Sequence, residues 1–375
     1  MVIFRMVPEN GMRNCLLRIA EAAHRRGHDV TVFTTETKGE HPAYLRVITI
    51  PNLPHLYHKR VREFFRILQE RFRTEKQDVT LGFNRGPGLD FYFSGGNCFV
   101  FTERQDRSGV YRLFNREYAA RAALEQEVFS PGAKTKIFHF SDEQKSQFIR
   151  TFHTPENRFL QLPPAANQDC RRGGDYAERR AAMRRRFSAG ESELVLVQIA
   201  TNMMRKGVDR SILAVASLPE EIRARVRLCL VGRELPKLRQ LVAEQHLENQ
   251  VFFEGVQYKV RDYLFAADFL LHPARVEVTG PMLLEALDAG VPVLCTDLCG
   301  YAPCVVKSHA GGTVAGKAFD QMELNVSLLS FLWNPEQLRE LSGYALDFMK
   351  HHDSFAYADA VVDAMEQKGT FHAAR

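Results

Sequence analysis

Two periodicities alternate along this chain, on either side of one polar stretch, and that alternation limits the fold more than any other feature. Apolar runs near residues 2–7, 29–34, 45–50, 78–83, 135–140 and 158–162 read as strands. Residues 12–26, 57–74, 107–129 and 142–152 carry the 3.6-residue apolar spacing of helices. After the Arg-rich segment AANQDCRRGGDYAERRAAMRRRF, which reads as a linker and the start of a surface helix, the pattern resumes. ELVLVQIA, RVRLCLVG, QVFFEG, ADFLLHP and VPVLCT follow as further strands, separated by helical segments. Strands this uniformly apolar are buried on both faces, so the expectation is the α/β class with helices covering parallel sheets. Two such stretches predict two doubly wound Rossmann-like domains facing a central cleft, residues 1–163 and 164–375, with a C-terminal helix able to cross back to the first.

One segment of the second half points to chemistry. EVTGPMLLEALDAGVPVLCTD, residues 277–297, places Glu277 in the approach to a helix and Glu285 within its first two turns. Thr279 or Gly280 suits the N-cap, Pro281 suits the first helical position where its missing N–H is no loss, and Gly290 with Pro292 ends the helix. In a strand, loop, helix, strand unit, ligands sit at the carboxyl ends of strands, where a helix N-terminus attracts an anion. Glu277 then stands in the binding loop, and Glu285 reaches a polar, uncharged group beside the anion. A phosphate attached to a sugar meets both demands, although the same letters fit a solvent-facing Glu285 and an incidental Glu277. TNMMRKG sets Arg205 and Lys206 in a second strand-to-helix loop on the same sheet edge. Adjacent cations there suit a diphosphate, or form a solvated basic turn.

Other patterns are excluded by their details. GGTVAGKA, residues 311–318, has phosphate-loop spacing, but Ala318 replaces the magnesium-binding hydroxyl and no strong strand and helix are expected around it. Cys295, Cys299, Cys304 and His309 match no zinc spacing. No Asp-x-Asp occurs, so if the chain breaks a sugar diphosphate, cations and a helix dipole must replace the metal, and no cofactor is expected. Seven cysteines without framework spacing fit a reducing compartment. With no 18-residue apolar run and no signal-peptide pattern, the expected place is the cytoplasm. Residues 1–163 hold 25 basic against 18 acidic side chains, the remainder 25 against 27, so an acidic partner belongs to the first half. Without basic and aromatic interleaving, no nucleic acid is expected.

E-x7-E from Glu277 to Glu285, followed by LLEALDAGVPVL, resembles the retaining nucleotide-sugar glycosyltransferases of the GT-B fold. RKGVDRSI (205–212), GFNRGPGLDFYF (82–93), RFLQLPP (158–164), LLHPA (270–274) and CGYA (299–302) are similar to the lipopolysaccharide core glucosyltransferase I family, through nearly the whole chain. The resemblance implies transfer of a hexose, glucose above all, from a UDP-sugar to the heptose region of the lipopolysaccharide inner core, with retention and without metal. It implies that Glu285 accepts hydrogen bonds from the nucleotide ribose, that Glu277 approaches the transferred sugar, and that Thr279, Gly280 and Met282 belong to the donor loop. Arg205 and Lys206 would neutralise the departing diphosphate, and Gly11 would let backbone approach it from the first domain.

Departures touch the acceptor side most. Asn10-Gly11-Met12-Arg13-Asn14-Cys15 stands for Gly-Gly-Leu-Gln-Arg-Asp, Asn97 for an aspartate, and Ala200-Thr201 for Gly-Ser, while Pro281 removes one N–H from the anion site. A relative with an altered acceptor, or one that binds a nucleotide sugar or a partner enzyme without turnover, therefore stays open.

The lipid-linked acceptor implies a protein that meets the cytoplasmic face of the anionic inner membrane peripherally. RSGVYRLFNREYAARAAL, residues 107–124, is the segment expected to do so. As one helix it puts Tyr111, Phe114 and Tyr118 on one face and Arg112 and Arg116 on the next stripe, with Arg107 and Arg121 nearby. Packing of those aromatics on the first sheet is the competing arrangement.

Overall fold

The computed structural model describes residues 1–8, 10–166, 169–257 and 259–373, so Asn167 and Gln168 of the expected linker lie outside the described residues. The chain divides into two compact units, residues 1–165 with 355–375, and residues 166–354.

In the first unit the elements run β1 (Arg5–Met6), α1 (Gly11–Arg25), β2 (Val30–Thr34), β3 (Glu36–Thr37), β4 (Leu45–Thr49), α2 (Tyr57–Thr74), β5 (Leu81–Gly82) and β6 (Phe91–Phe93). They continue with α3 (Phe99–Asp106), α4 (Gly109–Phe114), α5 (Arg116–Phe129), β7 (Lys136–His139), α6 (Asp142–Phe152) and β8 (Phe159–Gln161). Strands β5 to β8 form one parallel sheet in chain order, β2 pairs β4, and Val2 bridges both Phe33 and Gly82. The first apolar run is thus split into a bridge at Val2 and the two-residue strand β1, which pairs β3. Phe64, Phe65 and Leu68 of α2 pack on Val2 and Phe33, and Phe129 and Phe148 stack at 3.8 Å in a neighbouring cluster.

In the second unit follow α7 (Tyr176–Arg186), β9 (Leu194–Ile199), α8 (Val208–Ala216), α9 (Glu220–Arg223), β10 (Val226–Val231), α10 (Pro236–Glu244), β11 (Val251–Gly255) and α11 (Val260–Ala266). Then come β12 (Phe269–His272), α12 (Pro281–Asp288), β13 (Val293–Thr296), α13 (Ala302–Lys307), β14 (Gly311–Val314), α14 (Gln321–Leu332) and α15 (Pro335–Lys350). The six strands are parallel in the order β11-β10-β9-β12-β13-β14. That is the 3-2-1-4-5-6 order of a doubly wound sheet, and the order in which strands are added reverses between β9 and β12, where such sheets open a crevice for ligands. The last helix, α16 (Tyr357–Ala373), belongs to the first unit and packs on α1. Arg26, the residue that caps the end of α1, binds Asp359 at 2.8 Å and Asp363 at 2.5 Å, while Tyr357, Val361 and Val362 are buried.

Several sequence expectations are corrected. The helix expected over 107–129 breaks at Asn115, whose extended backbone and Oδ1, accepting from Tyr118 N at 2.8 Å, start a new helix. Phe91–Phe93 is a strand that the motif GLDFYF concealed. Gly311–Val314, expected to lack a flanking strand, is itself the edge strand β14 and is followed by α14.

The Arg-rich helix α7 is a surface helix, as expected, but several of its arginines are bound from one side. Arg180 Nη1 donates to the carbonyls of Phe265 and Ala267 at 2.9 and 3.0 Å, closing the end of α11, where a cation is favoured. Arg180 and Arg184 also share the Asp268 carboxylate at 2.5 and 2.7 Å. Arg172, from the expected linker, donates to the Ala289 and Gly290 carbonyls just beyond α12. Much of the basic charge between the two β/α stretches is spent inside the second unit.

Candidate active site

The loops after β9 and β12 flank the switch point and are bound to each other. Gly207 makes the first contact possible: its φ is +72°, and a Cβ there would lie 2.1 Å from the Pro273 carbonyl oxygen. Arg275, which carries no sequence signal, then laces the loops. Its guanidinium takes both oxygens of Asp209 at 2.7 Å and the Met204 carbonyl at 2.7 Å, and its N–H donates to the Arg205 carbonyl at 2.9 Å. Gln198 Nε2 donates to the Lys206 carbonyl at 2.7 Å, and Arg205 Nε to the Val276 carbonyl at 3.2 Å. Bidentate Arg–carboxylate geometry fixes orientation as well as distance, so Arg205 and Lys206 are held on a braced loop.

Lys206 Nζ is in contact with Glu277 Oε2, and His272 Nε2 stands 3.4 Å from the same oxygen. All three side chains are largely buried, His272 almost completely. Burial, reinforced by the positive charge of Lys206, pushes the His272 pKa down to about 3, so its ring is neutral near pH 7. Burial also draws Lys206 down, to about 8, with the nearby Cys299 sulfur opposing the fall and Arg205 adding to it. The Glu277 carboxylate in contact favours the charged ammonium. His272 was visible only as part of LLHPA and was not singled out as a site residue.

The helix after this loop starts at Gly280, not Thr279. Gly280 is the N-cap with φ +97°, a left-handed conformation that disfavours a side chain, and Pro281 opens α12. Thr279 is half-buried and its carbonyl accepts from Tyr301 N at 2.8 Å. Met282 is half-buried on the first turn. Glu285, the fifth residue of α12, is 1% exposed, which rules out the solvent-facing arrangement. Burial pushes the Cys170 thiol well above its ordinary value, and the Glu285 carboxylate close by adds to the rise. Glu277, Lys206, Arg205 and the start of α12 are thus gathered at one sheet edge of the second unit.

The remaining expected residues belong to the first unit. Gly11 is the first residue of α1 rather than part of a loop, Asn10 caps that helix by accepting from Met12 N, and a Cβ at Gly11 would meet nothing within 4 Å. Asn97 precedes α3, and its carbonyl accepts from Arg85 Nη2 at 2.8 Å. On α4, Phe114 is 78% and Leu113 77% exposed, with Tyr111 also exposed and Arg112 half-buried. Arg107 lies 5.1 Å from the Tyr111 ring, and Arg116 is exposed at the start of α5. Because the helix breaks at Asn115, Tyr118 does not continue the Tyr111–Phe114 face; it packs instead on Phe99, with ring centroids 5.6 Å apart. Among the described residues no group of three or more His, Cys, Asp and Glu side chains gathers as a metal site, and no helix is long and apolar enough to cross a membrane.

Two β/α units with cations and a helix start at the switch point of the second are those of a GT-B glycosyltransferase. Residues 179–347 match the family described as "Glycosyl transferases group 1", and residues 9–96 match "Glycosyltransferase Family 4". The chain is 35% identical over 324 residues, 86% of each chain, to lipopolysaccharide glucosyltransferase WaaG of Escherichia coli K12. It also matches the crystal structure of WaaG, a glycosyltransferase involved in lipopolysaccharide biosynthesis, with a TM-score of 0.84 at 32% identity, covering 97% of this chain and 98% of that one. Sucrose-phosphate synthase of Thermosynechococcus elongatus shares the fold at a TM-score of 0.75 and 16% identity, over 100% and 99% of the two chains. The protein belongs to the WaaG family of lipopolysaccharide glucosyltransferases.

Proposed function

We propose that this chain transfers a hexose, glucose in the first instance, from a UDP-sugar to the heptose region of the lipopolysaccharide inner core. In the proposed reaction the bond from the sugar C1 to the diphosphate breaks and the bond from C1 to the acceptor oxygen forms on the same face. The acceptor proton passes to the departing phosphate oxygen. Charge then grows on the diphosphate, and donors already in place for that charge are the main source of rate.

The observation that carries this reading is the gathering of Arg205, Lys206 and the start of α12 at the switch point, with Glu277 in contact with Lys206. Lys206 and Arg205 serve the diphosphate, Gly280 and Met282 bring backbone to it, and Glu285 takes the ribose hydroxyls. Glu277 orients Lys206 and meets the transferred sugar, and the neutral His272 ring steadies Glu277. Metal is given no part, because the cations that a diphosphate requires are supplied by these side chains. The acceptor is lipid-linked, so the proposed workplace is the cytoplasmic face of the anionic inner membrane, with no nucleic acid involved.

The test is incubation with a panel of nucleotide sugars and truncated lipopolysaccharide, with and without EDTA. The expected result is a hexose mass increment on the acceptor, an unchanged anomeric configuration by NMR, and equal rates in both arms. A chain that binds UDP but never modifies an acceptor is the noncatalytic relative instead.

A further inference from the structure

The first unit holds a small cavity of about 90 Å³ with two arginines in its wall, Arg85 from the loop after β5 and Arg121 from α5. Phe4, Tyr57, Phe83 and Tyr92 supply most of the rest. The cavity lies just beyond the carboxyl end of β5, the side on which α/β sheets take ligands. The Arg121 guanidinium stacks 4.7 Å from the Tyr57 ring and 5.5 Å from the Phe99 ring, which fixes its plane.

The chemistry is set by which atoms lack partners. Arg121 Nε is buried without a hydrogen bond, while its Nη2 pairs with Glu117 at 2.6 Å. Arg85 Nε is 2.9 Å from Glu125 Oε1 yet is not aligned to donate to it. Behind the wall, Asn97, whose carbonyl takes Arg85 Nη2, has a buried Nδ2 without a partner but does not itself line the cavity. All three atoms are donors. Glu125, fully buried, is already committed, accepting from Phe99 N at 2.7 Å and Val100 N at 2.8 Å. Buried donors are normally satisfied, and a group that can satisfy several at once beside two guanidiniums is one that only accepts. Phosphate and carboxylate are such groups, and the arginine fork matches both.

We propose that this cavity is an oxyanion seat that holds a phosphate or carboxylate borne by the acceptor, so that the protein selects acceptors by an anion held away from the reacting hydroxyl. The proposal rests on the transferase reading for its acceptor, but not for the seat itself. Its size admits one such group and not a nucleoside.

Two arms test it on the full chain. In the first, calorimetry follows inorganic phosphate, then acetate, binding to protein saturated with UDP, which keeps the donor loops from contributing. The parent binds the oxyanion, Arg121→Gln weakens binding tenfold or more, and Arg85→Lys, which keeps the charge but loses the fork, weakens it by a smaller factor. Both variants are first checked for a parent-like unfolding temperature. No binding by the parent, or parent-like binding by Arg121→Gln, overturns the seat. In the second arm, transfer to truncated lipopolysaccharide is measured before and after phosphatase treatment, and before and after methyl esterification of its carboxylates. One treatment raises KM about tenfold at unchanged kcat for the parent and leaves the already raised KM of Arg121→Gln unmoved. A parent KM unmoved by either treatment overturns the assignment to the acceptor. If no acceptor is glycosylated at all, the transferase reading falls and the calorimetric arm still decides the seat.

Discussion

Lys206 and Glu277 neutralise each other across the two switch-point loops, the ammonium Nζ of one resting on the carboxylate of the other. Both side chains are mostly out of water, so neither charge is well screened. In the proposed reaction an arriving diphosphate would draw Lys206 toward itself against a carboxylate that already holds it. The pair keeps the cation in place before the donor binds.

Replacing Lys206 by Ala is expected to lower turnover of the UDP-sugar by about 100-fold or more. Steady-state kinetics of the variant measures this, and parent-like turnover contradicts the role. Lys206 loses its proton near pH 8, so activity that needs the ammonium falls as pH rises through that value. In Lys206→Arg that alkaline limb disappears.

Glu285→Gln keeps the shape and removes the charge of a side chain that is 1% exposed. Loss of a charged acceptor for the ribose hydroxyls is expected to weaken UDP by about 1 to 3 kcal/mol. Titration calorimetry with UDP checks it, and unchanged affinity leaves Glu285 a purely structural residue.

His272 ties stability to acidity. Its folded pKa is about 3 against an ordinary value of 6.5. Between those values the unfolded chain binds the proton and the folded one does not, so the stability contribution is intact above about 6.5 and is lost as pH falls toward 3. Chemical denaturation from pH 7 to pH 4 is expected to show a smaller loss for His272→Gln than for the parent. Equal slopes would mean that the ring is charged in the fold.

The exposed apolar tip of α4 is expected to enter a bilayer surface. Basic residues near anionic lipid add about 1 kcal/mol each, within a Debye length. Both Arg112→Glu with Arg116→Glu and Leu113→Asp with Phe114→Asp should reduce sedimentation with anionic vesicles, the first in a salt-dependent way, with little change in unfolding temperature. Parent-like sedimentation of both double variants moves membrane contact elsewhere.

The architecture was largely legible because buried parallel strands leave uninterrupted apolar runs; α2 falls on the expected residues 57–74, and β9 and β10 on ELVLVQIA and RVRLCLVG. Glu277, Arg205 and Lys206 were legible as loop residues at strand ends, and the structure gathers them at one edge. Arg275 and Asp209 were not, because a bidentate pair between loops leaves no periodic trace. Asn115 misled for a related reason: it scores as an ordinary polar residue in a helical pattern, and only its cap to Tyr118 N reveals the break. The segment of α7 was legible as a surface helix, but sequence shows charge without the carbonyl ends of α11 that Arg180 binds.

The packing of α16 on α1 has a consequence for biosynthesis. During translation the segment that completes the first unit emerges only after all of residues 166–354 have been made. Domains ordinarily fold in the order in which they leave the ribosome. Here the second unit is finished first, while the first waits with the α1 surface uncovered until Tyr357, Val361 and Val362 arrive to cover it. A chain ending at residue 354 would therefore hold a complete second unit tethered to a first unit without its last helix, and it is the earlier half of the polypeptide that would need a chaperone for longest.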